Sequence, residues 1–175
     1  MTELTGILLV GGASTRFGSP KALVRIGEET LAERAWRLLG ESCTARLAVG
    51  KRADRLPLPF ELVDDATEVR APLAGLVAGL RAAPTELCIV VPVDCPGLTA
   101  AELRRLAAAC LDAAVPQTGP LPGAYRRRVL PVLEDRLAAG QLRLRDALAE
   151  LDVARVELPA EALANMNSPH DLARA

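Results

Sequence analysis

Residues 7–21 of the chain read ILLVGGASTRFGSPK, an uncharged apolar run followed by a glycine pair and two cations. The apolar run has the aliphatic, partly β-branched composition of a buried strand. Gly11 and Gly12 let the backbone turn sharply and approach a ligand without interference from a Cβ atom. Because Arg16 and Lys21 add a fork-shaped and a point-like donor to this turn, we predict that the loop holds nucleotide phosphates at the end of a strand.

Two better-known phosphate loops have a different spacing. The P-loop requires a Gly-Lys pair followed directly by Ser or Thr, but here two residues separate Gly18 from Lys21 and Ala22 follows. The dinucleotide fingerprint GxGxxG requires a third glycine that opens a helix, whereas Pro20 prevents immediate continuation of a helix. Both templates are therefore excluded. A glycine pair alone is also common in ordinary turns, so the wider spacing must decide the assignment.

The length fits a single domain, residues 1–175, that is large enough to bury a sizeable core. Half of the residues are hydrophobic and only 2% are aromatic, so we expect an aliphatic core. The formal net charge is -1, and charges of both signs are interspersed, which argues against a nucleic-acid partner. Any recognition of phosphate must therefore be local.

Charged residues interrupt every apolar stretch before it reaches the length needed to cross a bilayer. The first residues, Met-Thr-Glu-Leu, do not resemble a signal peptide, so we expect a cytoplasmic protein without membrane association. The four cysteines show neither CxxC pairing nor histidine partners for zinc, and we expect reduced thiols. Cys95 follows Asp94 but has no evident base beside it, which disfavours a nucleophilic role.

Strand and helix signals alternate along most of the chain, which predicts an α/β fold with a three-layer, mostly parallel sheet flanked by helices. Capping boxes at Thr30 and Thr99 predict two helix starts, Pro72 suits the first turn of another helix, and Gly40 is predicted to end the first one. The predicted strands cover residues 7–10, 46–49, 61–63, 87–91, 123–125 and 153–157. The strand at 87–91 is predicted to lie at the centre of the sheet. The predicted helices cover residues 31–39, 72–82, a segment from 100, 129–138, 143–151 and a short terminal helix capped by Ser168.

Asp94 closely follows the most hydrophobic predicted strand, residues 87–91. Open α/β sheets bind ligands at the carboxyl ends of their strands, where the predicted phosphate loop also lies. A carboxylate at this edge can hold magnesium, which bridges phosphate oxygens. The alternative for Asp94 is an ordinary turn residue before a proline-containing loop.

The spacing GGxSxRxGxxK over residues 11–21 resembles the signature of nucleotidyltransferases with a glycosyltransferase-A-like, Rossmann-related fold. With two glycines, it is most similar to the molybdenum cofactor guanylyltransferases. Further segments follow in the order of that family: PLAG at 72–75, DCP at 94–96, GAYRR at 123–127 and NMNSP at 165–169. The resemblance therefore covers nearly the whole chain.

The resemblance implies an enzyme that transfers GMP from GTP to the phosphate of molybdenum-bearing molybdopterin. This reaction forms the guanine dinucleotide cofactor and releases pyrophosphate. The resemblance also implies Mg²⁺ as cofactor, and molybdoenzymes or other cofactor-synthesis proteins as possible protein partners. The acceptor already carries an ionised phosphate, so catalysis can rest on positioning and charge neutralisation without a general base.

The resemblance also assigns site residues. Arg16 and Lys21 would hold the triphosphate, and Asp94 would hold the magnesium ion. The implied nucleotide-binding residues are Leu9, Val10, Gly11, Gly12, Lys21, Asp65 and Asp94. Asn165 and Asn167 would approach the acceptor, although residues of this type before a short helix also serve as plain caps. The run Arg126–Arg128 is a further candidate for contacts to the acceptor.

Three departures from the family pattern leave the base contacts open. Val10 replaces a common Ala, Gly50 stands where some members place an Asn, and Arg70-Ala71 replaces the usual Gly before Pro72. One alternative is therefore the same chemistry with another substrate, either cytidylyl transfer to the same pterin or sugar-nucleotide synthesis.

Gly12 disfavours cytidylyl transfer, because cytidylyl relatives usually carry Ala at Gly12 or its neighbour. The remaining alternative, from another class, is a non-catalytic nucleotide-binding domain. The presence of Arg16, Lys21 and Asp94 together argues against it, since binding alone does not require a metal carboxylate.

Overall fold

The computed structural model describes residues 3–11 and 20–166, and the elements named below all lie within those ranges. The strands are β1 (Leu4–Leu9), β2 (Arg25–Ile26), β3 (Glu29–Thr30), β4 (Ala45–Gly50), β5 (Leu62–Asp64), β6 (Leu87–Pro92), β7 (Ala113–Pro116), β8 (Gly123–Arg126) and β9 (Val153–Val156). The α-helices are α1 (Leu31–Ser42), α2 (Pro72–Ala82), α3 (Ala100–Ala109), α4 (Leu130–Ala138) and α5 (Leu144–Ala147). Single 3₁₀ turns precede α4 and follow α5.

Within the described ranges, the main sheet has seven strands in the order β5-β4-β1-β6-β8-β7-β9. Strand β1 pairs in parallel with β4 and β6, β5 pairs in parallel with β4, and β9 pairs in parallel with β7. Among these seven strands, β8 alone runs antiparallel to its neighbours. The prediction of a mostly parallel sheet with β6 at its centre is therefore confirmed.

Helices cover both faces of this sheet. Along β1, Ile7 and Leu9 pack into the core beneath α2, α4 and α5, whereas Leu8 packs into the core beneath α1 and α3. A central strand is then buried on both faces, which explains why its sequence is an unbroken apolar run instead of an alternating pattern. No helix in the described part of the chain is long and apolar enough to span a membrane.

The predicted helix starts are confirmed. The Thr30 hydroxyl accepts a hydrogen bond from the backbone N–H of Glu33 at 3.1 Å, and the Glu33 carboxylate accepts from the N–H of Thr30 at 2.8 Å. Thr99 and Glu102 form the same reciprocal cap at the start of α3. Pro72 is the first residue of α2, where its missing N–H has no intrahelical partner to lose.

The prediction that Gly40 ends the first helix is wrong, because α1 continues to Ser42. A Cβ atom at Gly40 would lie 2.5 Å from Nη1 of Arg46. The Arg46 guanidinium donates to the carbonyl of Trp36 at 2.8 Å and lies 4.4 Å from the centre of the Trp36 ring. Gly40 therefore makes room for a crossing side chain, and this role leaves no local signal in the sequence.

The hairpin formed by β2 and β3 lies between the predicted loop and α1, and the sequence pattern did not reveal it. Each of its strands has only two residues, too few for a periodic signal. Gly27, with a φ of +61°, supplies the left-handed conformation that its turn requires. The terminal helix predicted after Ser168 lies outside the described residues.

We predict that Gly79→Ala destabilises the protein although alanine is the better helix former. A Cβ atom at Gly79 would lie 2.6 Å from Cγ2 of Ile7, a buried branched side chain that cannot swing aside. Overpacking of this kind costs about 1 to 3 kcal/mol, which exceeds the roughly 1 kcal/mol gained in helix propensity. The measurement is the free energy of unfolding in urea.

The matched control is Gly40→Ala, where the nearest atom is the end of the flexible Arg46 side chain. We expect the free energy of unfolding of this variant to lie within about 1 kcal/mol of the parent value. The gain in helix propensity offsets the cost of displacing the Arg46 guanidinium. A Gly79→Ala protein as stable as the parent would contradict the close packing of α2 on β1.

Candidate active site

Gly11 and Lys21, which flank the predicted phosphate loop, lie with Asp94 at one edge of the sheet, where β1, β4, β5 and β6 all end. In the parallel register of β1 and β6, Leu9 lies beside Pro92, so both chains leave the sheet together. A cavity of about 300 Å³ opens at this edge. It is lined by Leu9, Gly11, Val49, Gly50, Lys51, Asp65, Arg70, Ala71, Pro72, Gly75, Pro92, Asp94 and Leu121.

Lys21 and Asp94 come together across this edge. Lys21 begins a 3₁₀ turn directly after Pro20, and its Nζ donates to Oδ2 of Asp94 at 3.1 Å. Their side chains are 20% and 23% exposed, so the pair is accessible to a ligand. Both residues line a smaller adjoining cavity of about 110 Å³ together with Leu9, Val10 and Gly11. The structure therefore places five of the predicted residues around one space.

The end of β1 is fixed against the end of β4. The backbone N–H of Val10 donates to the carbonyl of Val49 at 3.0 Å, so this N–H is not available to a ligand. A Cβ atom at Gly50 would lie 2.6 Å from Cγ2 of Val10. Two of the departures from the family pattern, Val10 and Gly50, are thus in contact, and the larger residue at one position requires glycine at the other.

Asp65 lies at the same edge and forms a buried ion pair with Lys51. Nζ of Lys51 donates to Oδ1 of Asp65 at 2.9 Å and to Oδ2 at 3.1 Å, and also to the carbonyl of Thr67. The two side chains are only 12% and 9% exposed. No sequence motif identified Lys51, and the signal that could have done so was a lysine directly after β4, at the edge where Asp65 follows β5.

The segment before residue 167 packs against the loop that carries Asp94. The N–H of Met166 donates to the carbonyl of Asp94 at 2.8 Å, and the Cys95 thiol donates to Oδ1 of Asn165 at 3.1 Å. A Cβ atom at Gly97 would lie 2.2 Å from the carbonyl oxygen of Glu161, so glycine permits this close approach. The Asn165 side chain thus contacts the Asp94 loop through Cys95.

The run Arg126–Arg128 lies at the opposite edge of the sheet. Arg126 pairs with Leu87, at the start of β6, whereas Asp94 follows the end of that strand. At about 3.3 Å per residue the separation along the strand is roughly 20 Å. Arg128 instead forms an ion pair with Asp112 at 2.7 Å. The expectation that these arginines contact an acceptor at this site is wrong, because an antiparallel strand carries its last residues away from the site.

Three of the predicted site residues, Gly12, Arg16 and Asn167, lie outside the described part of the chain. Within the described part, no group of three or more acidic, histidine or cysteine side chains could enclose a metal ion. Mg²⁺ is commonly held by one or two carboxylates together with substrate phosphates and water. Asp94, a partly exposed carboxylate facing a cavity, fits that kind of site.

Burial raises the pKa of the Cys95 thiol from its ordinary value to about 12, and the neighbouring Asp94 carboxylate acts in the same direction. At neutral pH the sulfur therefore keeps its proton and serves as the donor to Asn165. A neutral thiol is the wrong form for a nucleophile. This agrees with the absence of a base noted in the sequence.

We predict that Cys95→Ser reduces the loss of stability at high pH. The unfolded thiol loses its proton above about pH 9, while the folded thiol keeps it to about pH 12, so the folded protein binds more protons and loses stability as the pH rises. This thiol contributes up to about 1.4 kcal/mol per pH unit in that window. Serine keeps a donor for Asn165 and does not titrate.

The measurement is the free energy of unfolding between pH 7 and pH 11, with the parent protein at pH 7 as reference. At pH 7 the two proteins should differ by about 1 kcal/mol or less, because the hydrogen bond is retained. Equal slopes above pH 9 would contradict the burial of this thiol.

Comparisons with known proteins agree with this geometry. A Bacillus subtilis protein described as a probable molybdenum cofactor guanylyltransferase is 36% identical over 94% of this chain and 90% of its own. A molybdopterin-guanine dinucleotide biosynthesis protein A from Archaeoglobus fulgidus superposes with a TM-score of 0.83 at 24% identity, covering 97% of this chain and 95% of that one.

The 2-C-methyl-D-erythritol 4-phosphate cytidylyltransferase of Thermus thermophilus superposes with a TM-score of 0.77 at 20% identity, covering 99% and 97% of the two chains. Because both identities are below 25%, these two solved structures show that the fold is shared and do not by themselves show a shared activity. Residues 6–156 match the family described as the MobA-like NTP transferase domain. The chain belongs to that family.

Proposed function

We propose that this chain transfers GMP from GTP to the phosphate of molybdenum-bearing molybdopterin and releases pyrophosphate. The observation that carries the proposal is the contact of Lys21 with Asp94 in the lining of the smaller cavity, at the edge where β1 and β6 end. A cation and a carboxylate at that place suit a triphosphate and its metal ion. The names of relatives at 36% and 35% identity, both probable molybdenum cofactor guanylyltransferases, support guanine and the pterin acceptor.

The residues divide the work between binding and charge neutralisation. Lys21, with Arg16, binds the triphosphate and holds it in line with the incoming acceptor phosphate. Leu9, Val10 and Gly11 line the space beside Lys21 and Asp94, and we propose that Gly12 also binds the nucleotide. Asp94 would hold a divalent ion, which we propose to be Mg²⁺ and which would supply neutralisation of the charge on the phosphate groups. The acceptor phosphate is already ionised at neutral pH, so no side chain has to remove a proton.

The wider predictions remain part of the proposal. Residues 1–175 form one nucleotidyltransferase domain in the cytoplasm, and molybdoenzymes or other cofactor-synthesis proteins take up the product. We propose that Asn165 and Asn167 contact the acceptor beside Asp94. The contact of Asn165 with Cys95 supports this placement, because it keeps the segment beside the Asp94 loop.

The same fold also supports cytidylyl transfer, so the base has to be tested directly. We predict that the protein releases pyrophosphate from GTP in the presence of Mg²⁺ and molybdenum-loaded pterin. We expect CTP and ATP to react at least about tenfold more slowly, the discrimination supplied by one or two missing hydrogen bonds. The measurement is the rate of pyrophosphate release with each nucleotide at equal concentration.

Equal or faster turnover with CTP would exclude the guanylyl assignment and favour the cytidylyl alternative. Binding of GTP without pyrophosphate release, with a loaded acceptor present, would favour the non-catalytic alternative. A reaction mixture that lacks the acceptor gives the baseline rate of pyrophosphate release for both comparisons.

We predict that Asp94→Asn lowers the rate of pyrophosphate release by at least about a hundredfold, the usual effect of removing one group that stabilises transition-state charge. Asparagine keeps the size of the side chain and loses the charge that would hold the metal ion. Thermal unfolding of the variant shows whether the fold is intact.

Asp64→Asn is the matched control. Asp64 ends β5 at the same edge, is exposed, and accepts a hydrogen bond from the N–H of Ala66 at 2.9 Å, which asparagine can also do. We expect this control to react at the parent rate. Full activity of a folded Asp94→Asn protein would remove Asp94 from the proposed metal site.

A further inference from the structure

We propose that Lys51 is a positioning residue that holds the Asp65 carboxylate as a fixed acceptor for the nucleoside part of the substrate. The inference rests on the proposed function for the presence of a nucleotide in the cavity. Both residues line the cavity together with Asp94. The proposal adds a residue that the family resemblance did not assign, and it gives the Asp65 end of the cavity a specific chemistry.

All three N–H donors of the Lys51 ammonium group have acceptors. A lysine has three N–H donors, and those of Lys51 reach Oδ1 of Asp65, Oδ2 of Asp65 and the carbonyl of Thr67. The side chain is only 12% exposed, so its long stem is held in one direction. A lysine bound in this way is not available to grip a phosphate, and its effect on a ligand has to pass through Asp65.

The Asp65 carboxylate is held from several sides but retains acceptor capacity. A carboxylate has about four acceptor positions. Two accept from Lys51, and Oδ1 also receives the N–H of Thr67 at 3.4 Å. The backbone N–H of Asp65 donates to the carbonyl of Gly50 at 3.1 Å, which fixes the residue to the end of β4. The carboxylate is therefore held in a defined orientation in the lining of the cavity, and about one of its four acceptor positions has no donor among these contacts.

Charge decides what this end of the cavity can bind. The Lys51 and Asp65 charges cancel locally, so this end neither attracts a triphosphate nor leaves a buried carboxylate uncompensated. Neutral donors, such as ribose hydroxyls or the N–H groups of a base, suit the remaining acceptor position. The phosphates belong at the other end, beside Lys21. The two lysine–aspartate pairs thus distinguish a phosphate end of the site, at Lys21, from a nucleoside end, at Asp65.

Arg70 also lines this cavity, and it differs from Lys51 in the exposure of its ion pair. Arg70 forms an ion pair with Asp54 at 2.7 Å, and its side chain is 55% exposed. Exposed pairs of this kind contribute little to stability or positioning. The buried pair is therefore the one on which the shape of this end depends.

The test is the binding of GTP and of inorganic tripolyphosphate, each with Mg²⁺, to the full-length protein by titration calorimetry. Tripolyphosphate reports the phosphate end alone, and GTP reports both ends. We expect Lys51→Met to raise the Kd of GTP about tenfold or more, the effect of misplacing one buried acceptor. The Kd of tripolyphosphate should stay within about twofold, because its partners lie at the Lys21 end. Lys51→Arg, whose fork can hold a carboxylate bidentately, should restore most of the GTP affinity.

Arg52→Met is the matched control, since it removes the next cation in the chain, which is exposed and lies outside the residues that line the cavity. We expect it to bind GTP with the parent Kd. An unchanged Kd of GTP in Lys51→Met would overturn the proposal. Equal weakening of GTP and tripolyphosphate would also overturn it, because Lys51 would then act as a phosphate cation.

A lone buried carboxylate in Lys51→Met can prevent folding, so the cycle includes Asp65→Asn and the double variant Lys51→Met/Asp65→Asn. If Lys51 acts through Asp65, adding Lys51→Met to Asp65→Asn should change the Kd of GTP by less than about threefold. A full tenfold further loss would refute the positioning role. A parent protein that binds CTP more tightly than GTP would contradict the guanylyl assignment alone, and the Lys51 series would then be run with CTP with the same expected pattern.

Discussion

The parallel pairing of β1 with β6 is the constraint on which the candidate site depends. Its register places Leu9 beside Pro92, so the loop after β1 and the Asp94 loop leave the sheet at one edge and in one direction. Lys21 can then reach Asp94 although the two residues are 73 positions apart in the chain. A one-residue slip of this register would reverse the faces of β1 and place Ile7 in the wrong core. The packing of both cores therefore fixes the geometry of the site.

The packing of β1 against β4 explains two of the departures from the family pattern. Val10 and Gly50 are separate anomalies along the chain, but the Val10 side chain occupies the space that a Cβ atom at position 50 would need. The two positions form one packing unit between β1 and β4. With no side chain at position 50, the polar contribution of β4 to this edge comes from the next residue, Lys51, which turns to the Asp65 carboxylate.

The features that the sequence predicted are those encoded within a few neighbouring residues. Capping boxes gave the starts of α1 and α3, Pro72 gave that of α2, and unbroken apolar runs gave β1 and β6. The roles of Gly40 and Lys51, which the sequence did not reveal, come from contacts between different elements. Gly40 in α1 makes room for the Arg46 guanidinium from β4, and Lys51, after β4, binds Asp65, after β5, 14 positions along the chain. No local pattern carries such contacts, because they arise only when the elements pack.

The two lysine–aspartate pairs at the cavity have the same chemistry but different burial, and this difference suits them to different tasks. Lys21 and Asp94 are 20% and 23% exposed, so water and phosphate oxygens can reach both partners. Lys51 and Asp65 are nearly enclosed, so separating them would leave a buried charge without compensation. The first pair can therefore exchange partners when a triphosphate and its metal ion arrive, whereas the second keeps its geometry. The proposed reaction depends on positioning and charge neutralisation, and positioning requires that one end of the substrate is held by groups that do not move, as the Lys51–Asp65 pair is.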